Sequence, residues 1–137
     1  MEDKQLIQEA FKAREKSWSP YSNFSVGAAL LTVSGKVYRG CNIECASYSP
    51  TNCAERTAFF KAVSEGETGF ETIAVVGGPS GVRDFGFAYP CGVCRQVMME
   101  FCNPRRFKII IANSCGEYTS HTLEQMLPLG FGPSSLA

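Results

Sequence analysis

Polar and apolar residues alternate along this chain with a period that changes from segment to segment. Between Lys4 and Trp18 the apolar positions are Leu6, Ile7, Ala10, Phe11, Ala13 and Trp18. That is close to helical spacing and predicts an amphipathic N-terminal helix. Ser19-Pro20-Tyr21-Ser22-Asn23 breaks it. Ser25 to Thr32 reads as a buried strand, Ser34-Gly35 as a turn, and Lys36 to Gly40 as the returning strand of a hairpin. Cys41 to Asn52 has no clean period and reads as a loop. Cys53 to Ser64 is helical, with Ala54, Ala58, Phe59, Ala62 and Val63 on one face, and Gly66 ends it. Glu71 to Val76 is a strand closed by Gly77-Gly78-Pro79, and Ser80 to Tyr89 is a loop. Pro90 introduces a helix from Cys91 to Phe101, expected to bury Val93, Val97, Met98 and Phe101. Phe107 to Ala112 is a β-branched strand. A short strand around Glu117 to Thr119 and a short helix from Leu123 follow. The tail from Leu127 is too rich in Gly and Pro to be regular. This order predicts one mixed sheet covered by helices, an α/β sandwich forming a single domain over 1–137.

Composition narrows the class. The 137 residues suffice for a core without disulfide staples. No apolar run approaches the ~20 residues that span a bilayer, and the N-terminal Met1-Glu2-Asp3-Lys4-Gln5 lacks the layout of a signal peptide. The expectation is a soluble cytoplasmic protein with no membrane partner. Thirteen basic residues balance thirteen acidic ones. Grip on a nucleic-acid backbone needs a basic surplus, so no nucleic acid is expected and a small-molecule partner fits better. Seven cysteines, an odd number, argue against a disulfide framework.

Two segments carry chemistry: Cys53-Ala54-Glu55-Arg56 and Pro90-Cys91-Gly92-Val93-Cys94. Both open expected helices, where the N-terminus favours the thiolate form that binds metal. Cys91 and Cys94 are one helical turn apart, so their sulfurs share a side. A Cys-x-x-Cys alone could be redox-active or half of a structural zinc site. Adding Cys53 gives three candidate ligands, and catalytic zinc keeps three while structural zinc closes with four. Glu55 lies beside this group without being placed to join it. Alone it would do no more than favour the helix N-terminus; beside three thiolates it is a candidate acid and base. Arg56 is expected to donate hydrogen bonds to the sulfurs and draw off their excess charge. His121 falls after the last expected strand and reads as a surface residue.

Cys-x-Glu followed by Pro-Cys-x-x-Cys is the signature of zinc-dependent nucleobase deaminases. Beyond it, the chain closely resembles the small homotetrameric cytidine deaminases from about Leu6 to Phe131. The resemblance is carried by Pro20-Tyr21-Ser22-Asn23-Phe24 with the strand after it, Gly40-Cys41-Asn42-Ile43-Glu44, Cys53-Ala54-Glu55-Arg56-Thr57-Ala58, Pro90-Cys91-Gly92-Val93-Cys94-Arg95-Gln96 and Leu127-Pro128. It implies a three-layer α/β/α sandwich on a mixed five-stranded sheet. It also implies one Zn²⁺ per subunit on Cys53, Cys91 and Cys94, with Glu55 catalytic, and a homotetramer whose active sites are shared between subunits. The implied activity is hydrolytic deamination of cytidine and deoxycytidine to uridine and deoxyuridine, releasing ammonia, in pyrimidine salvage. Asn42 and Glu44 would bond the ribose 3′-hydroxyl, Phe24 would pack beside the nucleoside, and the backbone of Ala54 would contact the base. Ala46 and Tyr48 would approach the sugar's 5′ side from a neighbouring subunit, and Phe131 would stack on the base across a subunit boundary. Cys45, where many relatives carry asparagine, and the stretch Gly81 to Ala88 depart from the family pattern.

Two rival readings stay open at this level. One is a deaminase acting on a modified cytosine nucleoside. The other is a structural zinc module whose fourth ligand comes from Cys41, Cys45, Cys102, Cys115 or His121.

Overall fold

A computed structural model describes all residues, 1–137. In chain order the elements are α1 (Asp3–Arg14), β1 (Phe24–Thr32), β2 (Val37–Cys41), α2 (Ala54–Ser64), β3 (Phe70–Pro79), α3 (Gly92–Phe101), β4 (Lys108–Ala112), β5 (Tyr118–Thr122) and α4 (Leu123–Met126). The strands form one sheet in the order β2-β1-β3-β4-β5. Only β3 and β4 run parallel; the other pairs are antiparallel.

Successive side chains of a strand face opposite sides, and this alternation splits the core in two. On one face Ala29, Leu31, Ala74, Val76, Ile110 and Ala112 pack against Leu6, Ile7 and Ala10 of α1. On the other, Ala28, Leu30, Ile73, Val75, Ile109 and Ile111 meet Ala54, Ala58, Phe59 and Ala62 of α2 and Met98 of α3. The result is the expected three-layer α/β/α sandwich on a mixed five-stranded sheet. Strand β4 is apolar at consecutive positions because both of its faces are covered. Strand β5, at the sheet edge, reads Tyr-Thr-Ser-His-Thr and stays largely exposed, a polar rim that discourages edge pairing.

Several boundaries differ from the sequence reading. Helix α1 stops at Arg14; Trp18 is exposed and forms an isolated bridge with Ile43. Strand β3 runs on through Gly77-Gly78-Pro79, which pair with Val26, Ser25 and Phe24 instead of turning. The glycines serve packing: a Cβ on Gly78 would lie 2.4 Å from the Phe85 side chain. In α3, Val93 is exposed and Cys94 takes its place on the buried side. His121 lies within β5, not beyond it. The tail contains a 3₁₀ turn at Pro133–Leu136.

The atypical stretch before the second cysteine motif is pinned to the sheet. Phe85 covers Gly78, the Arg14 guanidinium sits 4.3 Å above the Phe85 ring, and the Phe85 N–H donates to Ser114 Oγ at 2.9 Å. That anchoring presents Ala88 and Tyr89 to the cavity described below.

Candidate metal centre and active site

The N-termini of α2 and α3 meet on one face of the sheet. Cys53 is the N-cap of α2 and Cys91 the N-cap of α3, both in extended conformation. The Cys94 N–H donates to Cys91 Sγ at 3.5 Å. Helix α2 can come this close to the sheet because Gly40 of β2 has no side chain. A Cβ there would lie 2.2 Å from the Ala54 carbonyl oxygen and 2.5 Å from the Ala58 nitrogen.

Cys53 Sγ and Cys91 Sγ are 3.8 Å apart, Cys91 Sγ and Cys94 Sγ 3.5 Å, and all three sulfurs lie within 4.8 Å of one another. Tetrahedral zinc with Zn–S bonds of about 2.3 Å holds its sulfurs roughly 3.8 Å apart, so the triangle fits that ion. No histidine, carboxylate or fourth cysteine joins the group; Cys41, Cys45, Cys102, Cys115 and His121 all lie outside it. The donor set is therefore three sulfurs, the number a catalytic zinc site uses.

Arg56 Nη2 donates to Cys53 Sγ at 3.2 Å. Burial opposes the charge on Arg56, but hydrogen bonds to Cys53 and Cys94 outweigh it and raise the guanidinium pKa. The Cys94 thiol, with help from Arg56, draws Cys53 down to about 5. Cys94 is pushed up in turn by its bond to Cys53 and by burial, so of these two sulfurs Cys53 is the one that ionises first. A cation shared by the three sulfurs would displace the protons that remain.

Glu55 is 4% exposed. Burial, then the nearby Cys53 thiolate, push its carboxyl up to about 7. It lines a cavity of about 290 Å³ together with Phe24, Asn42, Glu44, Ala54 and the two N-cap cysteines. The fold thus gathers most of the residues singled out in the sequence. It does not bring Ala46, Tyr48 or Phe131 to that cavity. All three are exposed, and Tyr48 borders an adjoining recess that shares Ser22, Glu44 and Thr51 with the cavity. The sequence reading missed Ser22, Val26, Thr51, Asn52, Val75, Ala88 and Tyr89, which also line the cavity. Tyr89 stands next to Pro90 and Asn52 next to Cys53, so both could have been suspected from adjacency, and Ala88 ends the atypical stretch before the second motif; Ser22, Val26, Thr51 and Val75 reach the cavity through the tertiary fold. A larger cleft of about 740 Å³, edged by Lys12, Lys16, Arg39 and Lys61, shares no residue with this one.

Comparison with known proteins agrees with this geometry. Residues 1–111 match the family described as the cytidine and deoxycytidylate deaminase zinc-binding region. The chain is 47% identical to a cytidine deaminase of Sporosarcina psychrophila over 137 residues, covering all of this chain and 96% of the relative. It is 49% identical to a cytidine deaminase of Halalkalibacterium halodurans over 131 residues, 96% of this chain and 95% of the relative. The crystal structure of a Burkholderia pseudomallei cytidine deaminase superposes with a TM-score of 0.87 at 46% identity, covering 96% of this chain and all of that one. The chain belongs to the cytidine and deoxycytidylate deaminase family.

Proposed function

We propose that this protein is a zinc-dependent cytidine deaminase that converts cytidine and deoxycytidine, with water, to uridine and deoxyuridine and ammonia. The observation that carries the reading is the triangle of Cys53, Cys91 and Cys94 beside a buried Glu55 at one cavity. Relatives bearing the name cytidine deaminase, similar over nearly their whole length, support it. In this reading Cys53, Cys91 and Cys94 hold one Zn²⁺ per chain. When bound, zinc supplies a Lewis acid that makes water a nucleophile near neutral pH.

The chain's own groups do the proton work. Glu55 takes one proton from the attacking water and delivers it to N3 of cytosine; it then takes the remaining proton from the new C4 hydroxyl and delivers it to the departing amine, which leaves as ammonia while C4 becomes a carbonyl. A carboxyl raised to about 7 by burial is suited to both roles, because acid and base forms are both accessible at working pH. Arg56 tempers the negative charge of the thiolates through its bond to Cys53. Phe24 and the backbone of Ala54 border the base, and Asn42 and Glu44 take a sugar hydroxyl. The absence of a fourth protein ligand favours this reading over a structural zinc module.

The single domain spanning 1–137 works as a homotetramer in this reading, with Ala46, Tyr48 and Phe131 completing the sites of neighbouring subunits. The proposed setting is cytoplasmic pyrimidine salvage; no helix is long and apolar enough to cross a membrane. The test is a panel of cytidine, deoxycytidine and C5-modified cytosine nucleosides, followed by loss of ultraviolet absorbance and by ammonia release. Turnover of the two unmodified nucleosides is expected. Turnover of modified nucleosides alone, or of none by zinc-loaded protein, would overturn the assignment.

A further inference from the structure

The Asn42 side chain is almost wholly buried, and the protein itself uses up most of its amide. Oδ1 accepts the Val26 backbone N–H at 2.9 Å and the Ser17 hydroxyl at 2.5 Å. Nδ2 donates to the Phe24 carbonyl at 2.7 Å. An amide oxygen has two lone pairs and an amide nitrogen two hydrogens. Both lone pairs are filled, so Asn42 has only one N–H left to offer a ligand. Glu44 lines the same cavity. Its Oε1 accepts the Tyr21 and Ser22 N–H groups at 3.0 Å each, and its Oε2 accepts the Ser22 hydroxyl. A carboxylate has about four acceptor positions, which leaves one on Oε2. Of the side chains lining the cavity, Asn42 thus keeps one free donor and Glu44 one free acceptor, the complement of a hydroxyl that accepts one bond and donates another.

Of the three bonds that orient the Asn42 amide, two come from backbone and would survive any substitution. The third comes from Ser17, in the connection between α1 and β1, a residue that does not line the cavity. Behind it stands a chain of hydroxyls. Ser17 and Ser19 are 3.1 Å apart, Ser19 and Ser25 3.2 Å, and Ser25 and Ser80 2.6 Å.

We propose that Ser17 is a positioning residue for sugar recognition: by filling the second lone pair of Asn42 Oδ1 it makes Asn42 a donor only, so the site selects a sugar hydroxyl that accepts from Asn42 and donates to Glu44. The inference deepens the cytidine deaminase reading and rests on it. Without the Ser17 hydroxyl, Oδ1 regains an open lone pair and the amide keeps only its two backbone bonds, so its remaining N–H is held less tightly toward a ligand.

The experiment compares wild type, Ser17→Ala and Ser17→Thr as zinc-loaded enzymes. Each is measured with cytidine and with 3′-deoxycytidine, the latter as substrate or as competitive inhibitor. Ser17→Ala should raise KM for cytidine about fivefold, the scale of one neutral hydrogen bond, and leave kcat unchanged. Its affinity for 3′-deoxycytidine should match wild type, because that nucleoside lacks the hydroxyl in question. Ser17→Thr keeps a hydroxyl and should behave as wild type. An equal loss for both nucleosides would mean general loosening and would overturn the proposal, as would no change with either. Absence of cytidine turnover by wild type would instead defeat the deaminase reading, and the proposal with it.

Discussion

Cys53 and Cys102 carry the same thiol and are driven in opposite directions. Cys53 sits at a helix N-terminus with Cys94 and Arg56 donating to its sulfur, and its pKa falls to about 5. Cys102, packed among Phe59, Phe107 and Leu123, has only burial acting on it and is pushed up to about 12. Thiolate, not thiol, is the nucleophile. Alkylation of the folded, zinc-loaded protein near neutral pH should therefore label exposed Cys115 and spare Cys102. Peptide mass spectrometry would read this, and equal labelling of the two would contradict the packing. Much of this scale was legible beforehand. The spacing of Cys91 and Cys94 and the adjacency of Cys53, Glu55 and Arg56 are facts of the chain alone. Ser17 was not legible, because its partner Asn42 is 25 residues away and the two meet only after β1 and β2 pair.

The elements place those residues, and one small position governs the placing. Gly40 faces the first turn of α2, and the atoms a Cβ would strike are backbone, which cannot swing aside. Gly40→Ala should cost about 2–3 kcal/mol by overpacking. It should lower the thermal midpoint and reduce turnover by displacing the turn that carries Glu55. Thermal unfolding and kinetics of the variant would check this; wild-type values in both would show that α2 has room to move. The hairpin, the strands β3 and β4 and the helices were readable from period and from β-branched runs, whereas the parallel pairing of β3 with β4 emerges only in the folded sheet. Gly77-Gly78 was misread because glycine marks turns and close packing alike, and only the Phe85 contact tells them apart. Val93 was misread because the helical stripe begins at Cys94, a residue whose apolar burial the ligand motif concealed.

For the whole molecule, the cavity and the residues left outside it point the same way. Tyr48 and Phe131 are exposed to 74% and 59%, so neither ring is covered within one chain. In the proposed tetramer these rings cover neighbouring sites. Sedimentation of the zinc-loaded protein should show a four-chain species, and full activity in a stable monomer would contradict that arrangement. The sheet and its two cores needed no partner to be foreseen, since one chain buries them. The subunit contacts came only through resemblance, because nothing in a single chain's periodicity encodes what covers its surface.

In the proposed function, Glu55 moves the protons of a deamination at a three-sulfur zinc site. The most direct measurement compares wild type with Glu55→Gln by the fall in ultraviolet absorbance as cytidine becomes uridine, with zinc per chain measured on the same samples. Loss of a positioned acid and base should reduce kcat by roughly 10²–10⁴-fold, with zinc content unchanged. A Glu55→Gln protein that holds its zinc and turns cytidine over at the wild-type rate would contradict this role for Glu55.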